Sequence, residues 1–242
     1  MRTNEHGQPI GDEVPGWTPR PPVEPVMLTG RTCRVEPLGE GNLDAVYDAV
    51  CVQSPPETWT YITGGPYEDR NGFAGHVAGL HALAACVPLA ILAAEGQAAE
   101  GQGLGIACYL RIDPANGSAE VGGIVMSAAL QRTTAATESM YLMMRHVFED
   151  LGYRRYEWKC DSLNEPSRRA AVRYGFTYEG RFRNALVYKG RNRDTDWFSV
   201  TDDEWRRLRP AYDAWLDPAN FDGSGAQRRR LGDLTASGPG ER

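Results

Sequence analysis

The chain of 242 residues is 41% hydrophobic and 10% aromatic, which is enough to bury one core of ordinary size and favours a single domain with tails. Its 26 basic and 32 acidic residues give a net charge of −6, so no global positive field attracts nucleic acid or an anionic lipid surface. No apolar run reads as a signal peptide or is long enough to span a bilayer, which predicts a cytoplasmic protein with neither a membrane nor a nucleic-acid partner.

The cysteines and histidines do not form a metal-binding pattern. The five cysteines are widely spaced and lack a C-x-x-C pair, and the four histidines have no ligand spacing among themselves or with the cysteines. We therefore expect reduced core cysteines and no metal.

The first 27 residues are rich in proline and poor in aliphatic residues, so they predict an arm that either lies on the domain or is disordered. A domain is predicted for residues 28–216. It begins with a strand at 31–37 and a helix at 42–50. The irregular segment 54–67 sets aromatic residues among proline and glycine, a composition typical of loops that line pockets.

A helix at 69–84 and three strands at 89–94, 104–112 and 119–127 come next. Asn116-Gly117 predicts a hairpin between the last two strands. Gly122-Gly123 lies inside the third strand and indicates a bulge or a place where something approaches the backbone closely.

The stretch 130–176 has the order helix, strand, helix. A polar turn at 131–137 begins a helix whose apolar residues keep helical spacing, and the free N–H groups of such a first turn can bind an anion. A strand follows at 155–160, and Asn164 opens a second helix that ends before Gly175-Phe176.

Two further strands are predicted at 177–188 and 194–200, joined by residues 189–193. Thr201 and Glu204 then form a capping box at the start of a helix with Trp205 and Leu208 on its apolar face. The Gly-rich segment 217–242, with a basic triplet at 228–230, predicts a disordered tail.

These motifs resemble those of the GCN5-related N-acetyltransferase (GNAT) superfamily. The turn Gln131-x-x-Thr134-x-Ala136 stands where that family has its pyrophosphate motif, Gln/Arg-x-x-Gly-x-Gly/Ala. Asn164-x-x-Ser167, followed by Gly175-Phe176 and Glu179-Gly180, is similar to the branch containing the bacterial ribosomal-protein-alanine N-acetyltransferases. The resemblance covers roughly residues 29–205.

The resemblance implies an α/β (α+β) fold: one domain with a central mixed, mostly antiparallel twisted sheet, a splayed strand pair and flanking helices. It implies an acetyl-CoA-dependent, or other acyl-CoA-dependent, N-acyltransferase that acts on a primary amine by direct attack on the thioester, without a metal. The acceptor is a small molecule or a protein N-terminal amine, and the protein is a monomer or homodimer.

Coenzyme contacts follow from the same resemblance. It assigns them to a strand edge, to the polar turn and to the next helix, that is, to Ile124, Val125, Met126, Gln131, Arg132, Thr133, Thr134, Ala135, Ala136, Thr137, Asn164 and Arg168. Thr134 departs from the family, which usually has glycine there, but the Thr133, Thr134 and Thr137 hydroxyls could donate to phosphate oxygens. Asn164 is equally explained as a helix N-cap, and Arg168 as a solvated surface arginine.

The catalytic assignments also come from the resemblance. Ser167 matches the serine that is proposed in the ribosomal-protein branch to protonate the departing thiolate, and Ala171 stands where many other members have tyrosine. The resemblance places Glu120, at the start of a strand beside the presumed thioester, as the best carboxylate for the general base, and Leu186 stands where the ribosomal-protein branch can have a glutamate. A solvated helix serine and a structural glutamate are the alternatives.

Trp59, Tyr61 and Tyr109 are candidates for the acceptor pocket, with core packing as the alternative for Tyr109. A non-catalytic CoA-binding module is the second reading of the chain, based on the departures at 134, 171 and 186. A third is RNA association through Arg181, Arg183, Arg191 and Arg193, which the acidic total does not support.

Overall fold

The computed structural model describes residues 2–96 and 100–236. Within these residues the strands form a short ribbon and an eight-stranded sheet. The ribbon is β1 (Arg2–Thr3) and β2 (Pro9–Ile10), and the sheet contains β3 (Leu28–Thr29), β4 (Cys33–Pro37), β5 (Val87–Ala93), β6 (Gly103–Asp113), β7 (Ser118–Met126), β8 (Arg155–Asp161), β9 (Thr177–Tyr188) and β10 (Arg191–Thr201).

The sheet order is β3-β4-β5-β6-β7-β8-β10-β9. Its neighbouring strands are antiparallel except β7 and β8, which are parallel. The predicted mixed, mostly antiparallel sheet is confirmed. The β9–β10 turn consists of residues 189 and 190, which is tighter than the predicted loop.

Helices cover the two faces of the sheet unequally. They are α1 (Glu40–Tyr47), α2 (Arg70–Ala82), α3 (Thr134–Arg145), α4 (Glu165–Arg173), α5 (Asp202–Leu216) and α6 (Leu231–Ala236), and π-helical turns extend α1 and α3. One core joins α3 and α5 to residues such as Tyr156 and Trp158 of β8. The other joins α1 and α2 to β5, β6 and Val125 of β7.

Side chains alternate between these cores along each strand. Tyr156 and Trp158 face the α3 side of the sheet, so Glu157 and Lys159 face the opposite side. On that opposite side, the part of the sheet around β7, β8 and β10 lies beyond the core that α1 and α2 form. We call this region the open face.

The N-terminal arm lies on the domain. The Trp17 indole donates to the Ala115 carbonyl oxygen over 3.0 Å, and the Tyr153 hydroxyl donates to the Pro21 carbonyl oxygen over 2.9 Å. Of the two alternatives left open by its composition, the structure therefore has the packed arm.

The prediction of a disordered C-terminal tail is wrong for residues 217–236. Leu231 at the start of α6 is fully buried, and the Asn220 amide donates to the Trp215 carbonyl oxygen over 3.0 Å. A buried leucine and the hydrogen bonds of one asparagine amide hold this segment against the domain despite its glycine content. Residues 237–242 of the predicted tail lie outside the described residues.

Candidate active site

The second half of β7 is unpaired on its β8 side. The parallel pairing runs from Ser118–Arg155 to Val121–Trp158 and ends there, while pairing with β6 continues to Gly105–Met126. We call the end of the parallel pairing the β7–β8 vertex. The predicted splayed pair is confirmed, and Ile124, Val125 and Met126 lie on the edge where an extended ligand can pair like an added strand.

The two adjacent glycines of β7 lie next to this vertex. The register with β6 shifts between the Ile106 and Cys108 pairs, and Gly123 has φ +58°, so the predicted bulge is confirmed. A Cβ on Gly122 would lie 2.6 Å from Glu120 Oε1. The Glu120 carboxylate therefore lies over Gly122 and extends along β7 toward Ile124.

The α3 turn, residues 131–137, offers backbone donors. Thr133 is the N-cap: its amide donates to the Leu130 carbonyl oxygen over 3.2 Å, and its hydroxyl accepts from the Ala136 amide over 3.2 Å. The first turn of a helix leaves its N–H groups without intrahelical acceptors. The Ala136 N–H is capped by Thr133, so the N–H groups of Thr134 and Ala135 remain to bind an anion at the positive end of the helix dipole.

Two of the three threonine hydroxyls predicted to donate to phosphate are committed elsewhere. Thr133 Oγ1 donates to the Leu130 carbonyl oxygen over 2.6 Å, and Thr137 is buried, where its hydroxyl accepts from Arg173 Nη1 over 3.0 Å. Helical periodicity turns Thr137 toward the core, and its assignment to the coenzyme stays a prediction. Thr134 keeps a hydroxyl at the turn.

Gln131 and Arg132 of the α3 turn are exposed. Gln131 Nε2 donates to the Met126 carbonyl oxygen over 3.0 Å, which ties the turn to the end of the β7 edge. Arg132 has a left-handed backbone with φ +64°. Ala136 is buried and its amide is capped, so it contributes shape rather than a donor.

Asn164 and Ser167 lie at the start of α4. Asn164 Oδ1 caps the helix by accepting from the Ser167 amide over 3.2 Å. The Ser167 hydroxyl oxygen accepts from Trp158 Nε1 over 3.1 Å. The indole N–H supplies the proton in that bond, and the Ser167 hydroxyl also forms a hydrogen bond with the Cys160 thiol, which opposes the rise that burial causes in the pKa of Cys160.

Arg168 is part of an ion-pair network and is not a free phosphate ligand. Its Nε lies 2.9 Å from Oδ2 of the fully buried Asp196, and its Nη1 donates to Glu165 Oε2 over 2.8 Å. Arg181 Nε contacts the other oxygen of Asp196 at 2.6 Å. A buried carboxylate needs such cations, so Arg168 has a structural role here, and its assignment to the coenzyme phosphate stays a prediction.

Glu120 is buried at the β7–β8 vertex, with 1% of its surface exposed. Lys159 Nζ lies 2.9 Å and Arg111 Nε 3.6 Å from its Oε2. Burial raises the pKa of Glu120 above its ordinary value, against the opposing effect of Lys159 and Arg111. A carboxylate with a raised pKa is a stronger base, which is the property that a general base requires.

Two of the three aromatic candidates for the acceptor pocket are buried in the core, which for Tyr109 is the alternative that the sequence left open. The Trp59 indole donates to the Val50 carbonyl oxygen and the Tyr109 hydroxyl to the Met143 carbonyl oxygen, each over 2.9 Å, and both rings are buried. Their polar atoms are thus satisfied inside the domain. Tyr61 is half-buried and keeps a ring at the surface of the loop.

The β9–β10 turn contacts the loop that follows α1. Lys189 Nζ donates to the Trp59 carbonyl oxygen over 2.8 Å and Arg191 Nη2 to the Thr60 carbonyl oxygen over 2.7 Å. The 3₁₀ turn Pro56–Trp59 in turn packs against β7. Of the four arginines considered for RNA binding, Arg181 and Arg191 thus bind groups of the domain itself.

Comparison with known proteins places this geometry in a family. The family model described as an acetyltransferase (GNAT) domain matches residues 34–177. A GCN5-related N-acetyltransferase from Brucella melitensis is 42% identical, with a TM-score of 0.87 and coverage of 92% of this chain and 99% of that chain.

The chain belongs to the GNAT acetyltransferase family.

Other solved structures agree with this assignment. A probable GNAT-family acetyltransferase from Chromobacterium violaceum is 34% identical, with a TM-score of 0.75 and coverage of 82% of this chain and 98% of that chain. RimL, a ribosomal L7/L12 alpha-N-protein acetyltransferase, shares the fold at 20% identity with a TM-score of 0.62, covering 73% of this chain and 94% of that chain. The search of curated proteins found no match.

This GNAT acetyltransferase is therefore an enzyme of a family that uses acetyl-CoA as co-substrate and acts on amine acceptors. Among residues 2–96 and 100–236 no group of three or more His, Cys, Asp or Glu side chains is placed to hold a metal ion. Within the same residues no helix is long and apolar enough to cross a membrane.

Sequence reasoning missed three residues at the vertex of this GNAT acetyltransferase. Lys159 and Arg111 pair with Glu120, and each cation lies 5.0 Å from the centre of the Trp197 ring. The alternation of Glu157 and Lys159 with aromatic residues in the strand 155–160 was a signal for a polar face. Their partners depended on strand register and were not visible in the sequence.

Proposed function

We propose that this enzyme transfers an acyl group, most simply acetyl, from acyl-CoA to a primary amine by direct attack on the thioester. The observation that carries the proposal is the Glu120 carboxylate, which is buried at the β7–β8 vertex and lies over Gly122 toward the unpaired edge of β7. A base is thereby held beside the edge on which a thioester would be presented.

The coenzyme is proposed to lie across the α3 turn and along β7. Its pyrophosphate would accept from the N–H groups of Thr134 and Ala135. Its pantetheine arm would pair with the edge formed by Ile124, Val125 and Met126, where the Met126 carbonyl oxygen already accepts from the Gln131 amide.

The nitrogen loses two protons and the sulfur gains one. Glu120 takes the first proton from the acceptor ammonium, directly or through water, and the neutral amine attacks the carbonyl carbon. A backbone N–H on the β7 edge stabilises the oxyanion as it forms. The nitrogen loses its second proton to solvent as the C–N bond forms and the C–S bond breaks. The Ser167 hydroxyl protonates the departing CoA thiolate, and Ser167 and Glu120 then exchange protons with solvent to regain their starting states.

The acceptor class is proposed as a small-molecule amine or a protein N-terminal amine. The second option agrees with the protein substrate named for RimL, which shares the fold. The open face next to Glu120 is reached by solvent, since the neighbouring Arg111 and Lys159 side chains are 56% and 26% exposed, and either class can approach from there.

A thiol-release assay that crosses several acyl-CoAs with amino acids, polyamines, aminoglycosides and peptide N-termini tests the proposal. We expect steady CoA release with at least one amine, and loss of that release in Glu120→Gln. Binding of acetyl-CoA without turnover across the whole panel would contradict the proposal and favour a non-catalytic CoA-binding module.

A further inference from the structure

The chain has two lysines, Lys159 and Lys189. Both lie near the candidate active site but in different surroundings. An enzyme that removes a proton from an ammonium group and transfers an acetyl group to it can also modify one of its own lysines, provided that the amine lies next to the base. The positions of the two side chains can therefore be compared directly.

Lys159 lies at the β7–β8 vertex. It is the first residue of β8 after Trp158, whose pairing with Val121 is the last between the two strands. Its Nζ is 2.9 Å from Glu120 Oε2 and 5.0 Å from the centre of the Trp197 ring. A primary ammonium is thus already in contact with the proposed base and beside an aromatic face that favours cations.

Lys159 is also accessible. Its side chain is 26% exposed on the open face, whereas the carboxylate beneath it is 2% exposed. The ammonium therefore lies between the buried base and solvent, where the amine of an external acceptor would have to approach.

We propose that Lys159 is an internal acceptor, and that the enzyme acetylates its own Lys159 when acetyl-CoA is bound and no amine substrate is present. This inference rests on the proposed function, because it uses the same base and the same acetyl donor.

The step balances without any further reactant. Glu120 takes a proton from Lys159 Nζ across their contact, and the neutral Nζ attacks the acetyl carbonyl carbon. The N–C bond forms, the C–S bond breaks, and CoA leaves as a thiolate that takes up a proton. One proton is released overall for each acetyl group transferred.

Lys189 is the matched control inside the same chain. It is an exposed residue whose Nζ donates to the Trp59 carbonyl oxygen over 2.8 Å, and a carbonyl cannot accept its proton as a base. Partial burial, together with the neighbouring Arg191, lowers the pKa of Lys189. Uncatalysed acetylation, which follows the neutral fraction of the amine, therefore favours Lys189, whereas the geometry of the vertex favours Lys159.

The experiment incubates the purified full-length protein with isotopically labelled acetyl-CoA and no amine, and follows the label by mass spectrometry. Acetylation of Lys159 blocks tryptic cleavage after it, so modified protein gives a peptide from Tyr156 to Arg168. Samples of heat-denatured protein, Glu120→Gln, Lys159→Arg and Lys189→Arg are treated in parallel, and the amine panel is assayed with the same protein.

We expect Lys159 to be labelled faster than Lys189 by about a hundredfold, the low end of what a positioned general base contributes. This preference should disappear in denatured protein and in Glu120→Gln, persist in Lys189→Arg, and be independent of protein concentration. The comparison of two sites in wild-type protein does not depend on any variant being folded.

Labelling of Lys189 first, or of both lysines at equal rates, would overturn the inference by showing ordinary chemical acetylation. Absence of label on Lys159 in a protein that turns over amines would overturn it while leaving the proposed function intact. Absence of both label and turnover would overturn the proposed function together with the inference.

Discussion

The α3 turn and the β7–β8 vertex lie at opposite ends of the same short strand edge but are built from different atoms. The turn offers backbone N–H groups, while its threonine side chains at 133 and 137 are committed to capping and to the core. The vertex offers side-chain charges, Glu120 with Lys159 and Arg111, on an open sheet face.

With the coenzyme placed as proposed, this difference accounts for the departure from the family motif at Thr134. A backbone donor is present whatever the side chain, provided that the side chain adds neither bulk nor negative charge in the path of the phosphate. At the vertex the proposed chemistry depends on the Glu120 side chain and its ion pairs. If that side chain is replaced, no backbone group can take over its role.

The sharpest test of the comparison is Glu120→Gln. We expect turnover to fall by about a hundredfold to ten-thousandfold, the usual contribution of a general base, with little change in acetyl-CoA affinity. Steady-state kinetics and calorimetric titration with CoA measure the two quantities separately.

Glu157→Gln is the matched control, because Glu157 pairs with Glu120 in the strand register and faces the same side. It shares Arg111 with Glu120 at 3.7 Å, but its shorter contact is with Arg155 at 2.7 Å, and it forms no ion pair with Lys159. We expect the variant to retain most of the activity. Equal losses in the two variants would show that the vertex matters for its total charge rather than for a base at position 120.

Thr134→Glu tests the other end of the edge. A carboxylate at the phosphate position should weaken acetyl-CoA binding by more than about tenfold, or ~1.4 kcal/mol, through charge repulsion. An acidic residue in a first helical turn stabilises the helix, so the melting temperature should not fall.

Thr134→Ala provides the comparison, since it retains the backbone donor. Titration with CoA should show nearly unchanged affinity for this variant. If the glutamate variant bound CoA as well as wild type does, the phosphates would have to lie elsewhere on the surface.

Ser167→Ala should lower turnover by about tenfold or less, because a thiolate with an ordinary pKa of about 8.5 leaves with little assistance. The variant also leaves Trp158 Nε1 without its acceptor, which costs about 1 kcal/mol of stability. Ser167→Thr keeps the hydroxyl and should restore turnover; activity of the alanine variant equal to wild type would leave Ser167 with the structural role alone.

The smallest expected effect is a displacement of the pH profile. Lys159 lowers the pKa of Glu120, so Lys159→Met should raise that pKa, and the acid limb of kcat/KM should move to higher pH. Activity on the acid side of the profile would fall and recover as the pH rises. An unmoved acid limb would mean that the base titrating in that profile is a group other than Glu120.

Much of the candidate site could be predicted from the sequence because its signals are local. The paired glycines at 122 and 123 gave the bulge, Asn164 and Thr133 cap their helices within three residues, and apolar spacing defined α3. Each of these features depends on atoms only a few residues apart, so its geometry follows from the nearby sequence.

What only the tertiary structure decided is which side chains share a face and which are covered. Trp59 and Tyr109 became core residues because helices pack over them, and Leu231 ordered a segment whose average composition favours disorder. Lys159 meets Glu120 because two strands joined by α3 pair in parallel with one register and then separate. A shift of one residue in that register would turn one strand's side chains to the opposite face, so no local pattern could fix this contact.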